Sequence, residues 1–382
     1  MSSTARVAGV CDPAFKAVRE ALEQNLADGK EIGECVAVVV NGKTVVDLWG
    51  GYKDRARTQP WERDTLVCMF SVGKPLSILP VLILADRGRI ALDQPVSRYW
   101  PEFGQAGKEH ITVNHVLSHQ AAIPGALKAR KGDAYHWGNM VRAIEEQEPL
   151  WEPGTNGCYH TVSLGYLTGE LVRRVTGRTI GQFWREEIGL PLDIDYHFGL
   201  SAADQQRCAE IYEAPHGPFM DAIRDTNTLL GKCWVPLPLQ DHEEDFNSEL
   251  YRAAEMPSFN GQGVARGVAR LFCILACGGE LEGTRLLSQA LVEHAMTEAW
   301  YQTDALGLTC RMSNGGFMLR NPELTSYNHN PRSFGHLGLG GAIAFGDPDA
   351  RLGFSFCGNR MAPIGDLGPY ASRLLQATAA AL

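Results

Sequence analysis

A serine and a lysine three residues apart stand at the start of a largely apolar stretch and could form a nucleophile and its activator. Ser71 and Lys74 are followed by the apolar run 75–84. If Ser71 lies at a helix N-terminus, Lys74 follows about one turn later on the same face. A serine hydroxyl is a poor nucleophile until a neighbouring base takes its proton. Burial and the positive end of the helix dipole would both lower the pKa of Lys74, so that its neutral amine could be this base.

The spacing needs support from the rest of the chain, because Ser-x-x-Lys arises by chance about once or twice in a sequence of this length. An N-capping serine followed by a solvated lysine would give the same pattern. Tyr159 follows the turn-rich segment 151–154 and offers a phenol that could act as a proton relay. A glycine-rich strand from His336 to Gly341 could pass close to a substrate with its amides exposed. A packed turn tyrosine and a tight contact between strands are the structural alternatives.

Two local patterns describe how the chain begins. Residues 15–28 have apolar side chains at helical spacing and predict a helix. The runs 35–40 and 43–49, rich in β-branched residues, flank Asn41-Gly42. An Asn-Gly pair between two such runs predicts a β-hairpin.

Strand patterns at both ends of the chain enclose a segment that is mainly helical from residue 72 to 255. This arrangement predicts an α/β (α+β) fold, in which an antiparallel sheet flanked by helices is built from both termini and a mainly helical lobe is inserted. We expect residues 1–80 and 258–382 to form the α/β lobe and residues 81–257 to form the helical lobe. The polar and acidic segment 203–257 could form a lid, because long irregular segments are often functional.

The composition is that of an ordinary globular protein and limits the partners to be expected. Of 382 residues, 45% are hydrophobic and 21% are charged, and 35 basic against 44 acidic side chains give a net charge of −9. This balance argues against binding of nucleic acid. The N-terminal segment has no apolar core of signal-peptide length, and the longest apolar run is too short to span a bilayer. We therefore expect neither nucleic acid nor a membrane as a partner.

The cysteines and histidines indicate neither a disulfide framework nor a metal site. Ten cysteines are scattered along the chain, several of them in apolar segments. Reduced thiols of this kind fit a cytoplasmic protein. His115 and His119 have the i, i+4 spacing of metal ligands, but no third ligand is evident, so structural roles are favoured. The sequence therefore predicts no metal and no organic cofactor.

Taken in order, these segments resemble the serine β-lactamase and penicillin-binding-protein superfamily, in particular class C β-lactamases and their relatives, the family VIII carboxylesterases. Ser71 and Lys74 match the family's Ser-x-x-Lys motif. Tyr159 matches the tyrosine of the second motif, and residues 336–338, His-Leu-Gly, match the Lys-Thr-Gly of the third. The resemblance covers nearly the whole chain and implies a β-lactamase-like fold.

The resemblance also implies a role for each residue of the first two motifs. Ser71 would attack an acyl carbonyl and form an acyl-enzyme, and Lys74 would take or relay the hydroxyl proton. Tyr159 would act as a partner base or proton relay. His160 and Thr161 stand where the second motif usually has asparagine or serine, so the asparagine side of that motif is missing.

The third motif would bind the substrate, and it departs from the lactamase pattern. His336 and Gly338 would border the substrate, and the backbone N–H groups of Ser71 and Leu339 would form the oxyanion hole. The lysine that lactamases have in place of His336 provides a permanent positive charge for the antibiotic's carboxylate. A histidine is mostly neutral near pH 7. We therefore expect neutral esters to be preferred over β-lactams.

The sequence thus predicts a serine carboxylesterase that hydrolyses small, short-chain carboxylic esters through an acyl-enzyme intermediate. A β-lactamase, a D-amino-acid amidase or peptidase, and an acyltransferase are alternatives that would use the same centre. A non-catalytic scaffold is less consistent with the sequence, because a scaffold has no need of Ser71, Lys74 and Tyr159 together.

Overall fold

Strands from both ends of the chain form one large antiparallel sheet, as the sequence predicts. The computed structural model describes residues 7–212, 218–237, 246–321, 330–362 and 367–382. The strands of these residues, numbered in chain order, are β1 (Ala8–Cys11), β2 (Gly33–Val40), β3 (Lys43–Gly51), β4 (Val67–Cys68), β5 (Tyr196–His197), β6 (Gln262–Gly263), β7 (Glu280–Leu281), β8 (Thr284–Arg285), β9 (Glu298–Thr303), β10 (Thr309–Ser313), β11 (Met318–Leu319), β12 (Phe334–Leu337), β13 (Ile343–Asp347) and β14 (Leu352–Gly358). Nine of them form a sheet of order β1-β3-β2-β14-β13-β12-β11-β10-β9, in which every neighbouring pair is antiparallel.

Most helices lie between β3 and β9 in the sequence, so the predicted mixed fold with a helical insertion is confirmed. The α-helices of the described residues are α1 (Lys16–Ala27), α2 (Gly73–Asp86), α3 (Val113–Leu117), α4 (Trp137–Glu146), α5 (Ser163–Thr176), α6 (Ile180–Trp184), α7 (Leu190–Leu192), α8 (Ala202–Gln205), α9 (Pro218–Arg224), α10 (Leu229–Trp234), α11 (Glu249–Ala253), α12 (Ala265–Ala276), α13 (Gln289–Met296) and α14 (Gly368–Ala379). None of these helices is both long enough and apolar enough to cross a bilayer.

The predicted N-terminal hairpin is confirmed. β2 and β3 pair with Val40 opposite Lys43, so Asn41 and Gly42 alone form the turn. Both residues have positive φ angles, 49° for Asn41 and 81° for Gly42. This backbone is that of a type I′ turn, which asparagine and glycine adopt at low cost and which matches the twist of the strands. The turn therefore fixes the register of the two strands.

The sheet has a hydrophobic core on each face, because side chains alternate along its strands. On β2, Val36 and Val38 belong to the core with α1 and α14, whereas Val39 belongs to the core with α12 and the inserted helices. Helix α12 approaches β14 so closely that a Cβ atom at Gly353 would lie 1.9 Å from the carbonyl oxygen of Ala269. Glycine at this position therefore allows the close packing of helix on sheet.

Helix α2 carries the predicted Ser-Lys segment into the interior. It begins at Gly73, and every residue from Gly73 to Leu84 is buried. Pro75 lies in its first turn, where a backbone N–H would have no helical acceptor in any case. A helix that is apolar all round must be covered on all sides, and α5 is one of the helices that cover it.

The glycine-rich stretch is not a single strand, so this part of the prediction was wrong. β12 ends at Leu337, residues Leu339–Gly341 form a tight turn of the 3-10 type, and β13 begins at Ile343. Gly340 and Gly341 have φ angles of 80° and 101°, a region of backbone space that favours glycine. The glycines therefore reverse the chain between two neighbouring antiparallel strands.

The segment predicted as a lid is described in part, and that part is packed. Met220, Trp234 and Phe246 are buried in the larger of the two cores. Residues 213–217 and 238–245 lie outside the described residues. The lid and the exact boundaries of the two lobes therefore stay predictions.

Candidate active site

Ser71 lies in a strained turn that leads into α2. The 3-10 turn Phe70–Val72 directly precedes the helix, and Phe70 has a φ angle of 47°. A left-handed backbone is unusual for a bulky residue and persists only when its surroundings hold it. The ring of Phe70 packs edge-on against Phe246 and Phe259, at centroid distances of 5.3 and 5.5 Å. This aromatic packing holds the backbone on which the Ser71 hydroxyl is presented.

Lys74 lies within hydrogen-bond distance of Ser71, as the spacing predicts. Its Nζ lies 3.0 Å from Ser71 Oγ and donates a hydrogen bond of 3.0 Å to the carbonyl oxygen of Ser258. The side chain is fully buried, and burial lowers its pKa well below the usual value. A neutral amine, with one lone pair directed at a hydroxyl, is the state that a general base requires.

Tyr159 joins this pair from the loop that precedes α5. Nζ of Lys74 lies 4.8 Å from the centroid of its ring. Burial raises the pKa of the Tyr159 phenol, and a hydrogen bond with Ser71 offsets part of that rise. The phenol is therefore protonated at neutral pH and can pass a proton on, whereas the amine of Lys74 is the group that can accept one.

His336 faces Tyr159 as a neutral acceptor. Its Nδ1 lies 2.6 Å from the carbonyl oxygen of Leu337. Because a carbonyl only accepts, Nδ1 carries the proton of the neutral ring and Nε2 carries the lone pair. Nε2 lies 3.5 Å from the Tyr159 hydroxyl. Burial lowers the pKa of His336 to about 3, a protonated Lys74 would contribute to this shift, and the hydrogen bond to Leu337 opposes it.

Gly338 brings the end of β12 against the segment that leads to Ser71. A Cβ atom at Gly338 would lie 2.5 Å from the carbonyl oxygen of Met69. The N–H of Gly338 donates to the carbonyl oxygen of Ala342 at 2.6 Å, which closes the turn that holds Leu339. An oxyanion hole of the predicted kind needs the backbones of Ser71 and Leu339 side by side, and this contact favours that arrangement.

A methyl group at position 338 is expected to separate the two backbones. Gly338→Ala should lower kcat/KM for ester substrates by about 100-fold, the cost of a displacement of about 1 Å in a catalytic site. Steady-state kinetics of the folded variant measure the effect. Gly138→Ala is the control, because a Cβ atom there meets open space on helix α4. If Gly338→Ala were as active as Gly138→Ala, the proposed place of the oxyanion hole would be wrong.

Sequence reasoning missed two groups that complete the site. The carbonyl oxygen of Ser258 accepts from Lys74, and the carboxylate of Asp304 accepts a 2.8 Å hydrogen bond from the backbone N–H of Tyr159. Neither residue belongs to a motif, and both are distant from their partners in the sequence. The Thr-Asp-Ala-Leu-Gly segment around Asp304 was a signal for a turn between two strands, but not for a contact with Tyr159.

The two histidines with metal-ligand spacing have different surroundings. His115 accepts from the backbone N–H of Thr112 and completes the cap of α3. The ring of His119 stacks on Tyr159 at a centroid distance of 5.6 Å, and its Nδ1 accepts from the backbone N–H of His160. Only His119 therefore borders the candidate site, where it supports the loop of Tyr159.

A protein-family model matches almost the full length of the chain that forms this site. The family model described as Beta-lactamase matches residues 18–379. The chain belongs to the β-lactamase family. The resemblance identified from Ser71, Lys74, Tyr159 and the third motif is therefore confirmed at the level of the family and the fold.

Similar proteins cover nearly all of this β-lactamase-family chain. Esterase/beta-lactamase LipL of Mycobacterium tuberculosis is 33% identical over 374 residues, which are 93% of this chain and 83% of LipL. The crystal structure of a family VIII carboxylesterase has a TM-score of 0.88 and 37% identity, covering 99% of this chain and 100% of its own. A penicillin-binding protein homologue from Caulobacter crescentus has a TM-score of 0.87 and 36% identity, with the same coverage.

Proposed function

We propose that the protein is a serine carboxylesterase that hydrolyses small, short-chain carboxylic esters through an acyl-enzyme. Two lines of evidence support the proposal. The hydroxyl of Ser71, the buried amine of Lys74 and the phenol of Tyr159 converge in one site. One similar protein is named an esterase/beta-lactamase and one similar structure is named a family VIII carboxylesterase.

Acylation uses the neutral amine of Lys74 as the base. Lys74 takes the proton of Ser71 while Oγ bonds to the carbonyl carbon of the ester, and the electrons of the C=O bond move to the oxygen. The backbone N–H groups of Ser71 and Leu339 stabilise that oxyanion, each by about 2.7–4 kcal/mol. When the intermediate collapses, the alcohol leaves with the proton that Lys74 gained, passed on through the Tyr159 phenol.

Deacylation repeats the same proton path with water as the nucleophile. Lys74 is neutral again after the alcohol has left, so it can take a proton from water through the Tyr159 phenol. The hydroxide bonds to the acyl carbon, and the carboxylic acid is released as Ser71 regains its proton. One base therefore serves both halves of the reaction, as microscopic reversibility favours.

The buried surroundings and the hydrogen-bond partners of His336 support the preference for neutral substrates. Its ring donates through Nδ1 to Leu337 and turns a lone pair towards Tyr159. Burial lowers its pKa to about 3, so it offers no positive charge at neutral pH. An anionic carboxylate would gain no charge-assisted hydrogen bond from this side chain, and such a bond contributes about 1.5–3 kcal/mol.

A hydrolysis panel tests this preference. We expect kcat/KM for p-nitrophenyl acetate and butyrate to exceed that for nitrocefin by about 10- to 100-fold, the factor that corresponds to one missing charge-assisted hydrogen bond. The panel runs from acetate to decanoate esters and includes D-amino-acid amides. A Ser71→Ala variant gives the background rate. Faster turnover of nitrocefin than of the short esters would instead identify a β-lactamase, and faster turnover of the amides would identify an amidase.

The cysteines support the cytoplasmic location that we propose. All ten are free thiols, and eight of them are buried. Thiols persist in this state in the reducing cytoplasm, whereas secreted proteins commonly form disulfides.

A further inference from the structure

One edge strand of the sheet contacts the loop that carries Tyr159. Successive side chains of a strand point to opposite faces, so residues at i, i+2 and i+4 share one face. On and just after β9, Trp300 Nε1 donates to the carbonyl oxygen of Ser118 at 2.7 Å. Gln302 Nε2 donates to the carbonyl oxygen of Gly157 at 2.9 Å. Asp304, the next residue of this series, accepts from the backbone N–H of Tyr159.

We infer that Asp304 is a positioning residue, which holds the Tyr159 phenol at the distance from Ser71 and Lys74 that proton transfer requires. The Oδ2 atom of Asp304 accepts the hydrogen bond of 2.8 Å from the Tyr159 N–H. This inference rests on the proposed acyl-enzyme chemistry. It adds to that proposal a group outside the motifs, contributed by the β9–β10 turn.

The carboxylate of Asp304 is itself held in place. Its Oδ1 accepts from the backbone N–H groups of Leu306 and Leu308 at 2.9 and 3.0 Å. The side chain is 7% exposed, so solvent competes little for these bonds. The turn between β9 and β10 therefore orients one oxygen towards its own backbone and the other towards Tyr159.

The Tyr159 loop is held from two sides, and Asp304 supplies the contact at the tyrosine itself. On one side, the carbonyl oxygen and the ring of His119 accept from the N–H groups of Cys158 and His160, both at 2.9 Å. On the other side, a Cβ atom at Gly157 would lie 2.1 Å from the ring of Trp300. Without Asp304, the neighbouring amides would remain bound and the N–H of Tyr159 alone would lose its acceptor, while the carbonyl oxygen of the same peptide, that of Cys158, would keep its 2.7 Å hydrogen bond from His160 Nδ1.

A double-mutant cycle tests whether Asp304 acts through Tyr159. Asp304→Ala should lower kcat/KM for p-nitrophenyl acetate by about 100-fold, the effect of a catalytic group displaced by about 1 Å. Tyr159→Phe should cost about as much. In the Tyr159→Phe background, Asp304→Ala should cost less than about twofold more, because a group that acts through the phenol has no effect once the phenol is gone.

The control for lost stability is Asp54→Ala. Asp54 is also buried and also binds a turn, through hydrogen bonds from the backbone N–H groups of Thr58 and Gln59, but it has no contact with the site. It should lower the thermal midpoint and leave kcat/KM of the folded enzyme unchanged. Asp304→Asn, which keeps the size of the side chain, replaces Asp304→Ala in the cycle if the alanine variant does not fold.

The rate of phosphonylation of Ser71 by an activated phosphonate is measured on every variant. If wild type is phosphonylated but hydrolyses no ester, the proposed substrate class fails and the cycle is completed with the phosphonylation rates. An equal loss from Asp304→Ala in both backgrounds would overturn the inference, because the role of Asp304 would then be general and structural. If Asp304→Ala caused no loss in the protein that retains Tyr159, the inference would be overturned as well.

Discussion

Replacing Ser71 by alanine is expected to lower kcat for p-nitrophenyl acetate by roughly 10⁴- to 10⁶-fold, the range found when one member of the catalytic triad is removed from a serine hydrolase. The residual rate would come from the oxyanion hole and from binding of the ester. The neighbouring base cannot replace the hydroxyl at the same place, because Lys74 Nζ lies 3.0 Å away and is held by the carbonyl oxygen of Ser258. Steady-state kinetics with a purified variant measure the loss.

Mass spectrometry gives the same prediction a second readout. Wild type should gain one phosphonate per chain on the peptide that contains Ser71, and Ser71→Ala should gain none. Ser77→Ala is the matched control, because Ser77 is a buried serine of helix α2, which follows Ser71, and its hydroxyl donates to the carbonyl oxygen of Lys74. It should retain both the label and the activity. Labelling of Ser71→Ala at another residue with unchanged turnover would show that the nucleophile lies elsewhere.

The parts of the fold that could be predicted from the sequence depend on local physics. The hairpin at Asn41 and Gly42 follows from residues that tolerate positive φ, and the helix predicted over 15–28 is observed as Lys16–Ala27. The glycine-rich stretch shows the limit of this reasoning. Glycines allow both an extended strand and a reversal of the chain. The chain reverses at Gly340 and Gly341 because β12 pairs with β13 in an antiparallel arrangement.

The same distinction applies to the candidate site. Ser71 and Lys74 are three residues apart, so helical geometry brings their side chains together whatever the rest of the chain does. Ser258 is 184 residues from Lys74, and Asp304 is 145 residues from Tyr159. Contacts of this range are set by how the sheet packs on the inserted helices, and no spacing in the sequence encodes them.

The protonation states of Lys74 and Tyr159 also could not be predicted without the tertiary structure. The reference pKa is about 10.4 for lysine and about 10 for tyrosine, so both side chains are protonated at neutral pH. Burial lowers the pKa of Lys74 and raises that of Tyr159. The opposite shifts therefore separate two groups that the sequence could name only as a pair, and they favour the amine as the base of the proposed mechanism.

Removal of the Lys74 amine is expected to lower kcat/KM by about 10³-fold, within the range that general bases contribute. Lys74→Met keeps an unbranched apolar side chain in the buried position but has no group to take the proton of Ser71. Lys74→Arg should not restore activity, because a guanidinium remains protonated at every accessible pH. Steady-state kinetics of both variants measure the effect. If Lys74→Met retained ordinary activity, the proposed proton path would be wrong.

The same variant is expected to lose a pH dependence that Lys74 gives to the stability of wild type. The pKa of Lys74 is lower in the folded protein than in the unfolded chain, so between these two values the unfolded state binds a proton that the native state lacks. The free energy of unfolding therefore rises with pH across this window. Lys74→Met has no such group. Relative to that of wild type, its thermal midpoint should therefore fall as the pH rises from 7 towards about 10.4.

Lys108 provides the matched control for both effects. It is also fully buried, and burial lowers its pKa to about 8. Its Nζ donates to the carbonyl oxygens of Glu145 and Gln147 at 2.8 and 2.5 Å, away from the site. Lys108→Met should leave kcat/KM unchanged and should likewise remove the rise of stability with pH between about 8 and the unfolded value of about 10.4, because the pKa of Lys108 is also lowered by burial. A loss of activity at Lys74 and unchanged activity at Lys108, with the same kind of change in the pH dependence of stability at both, would mark Lys74 as the lysine required for catalysis.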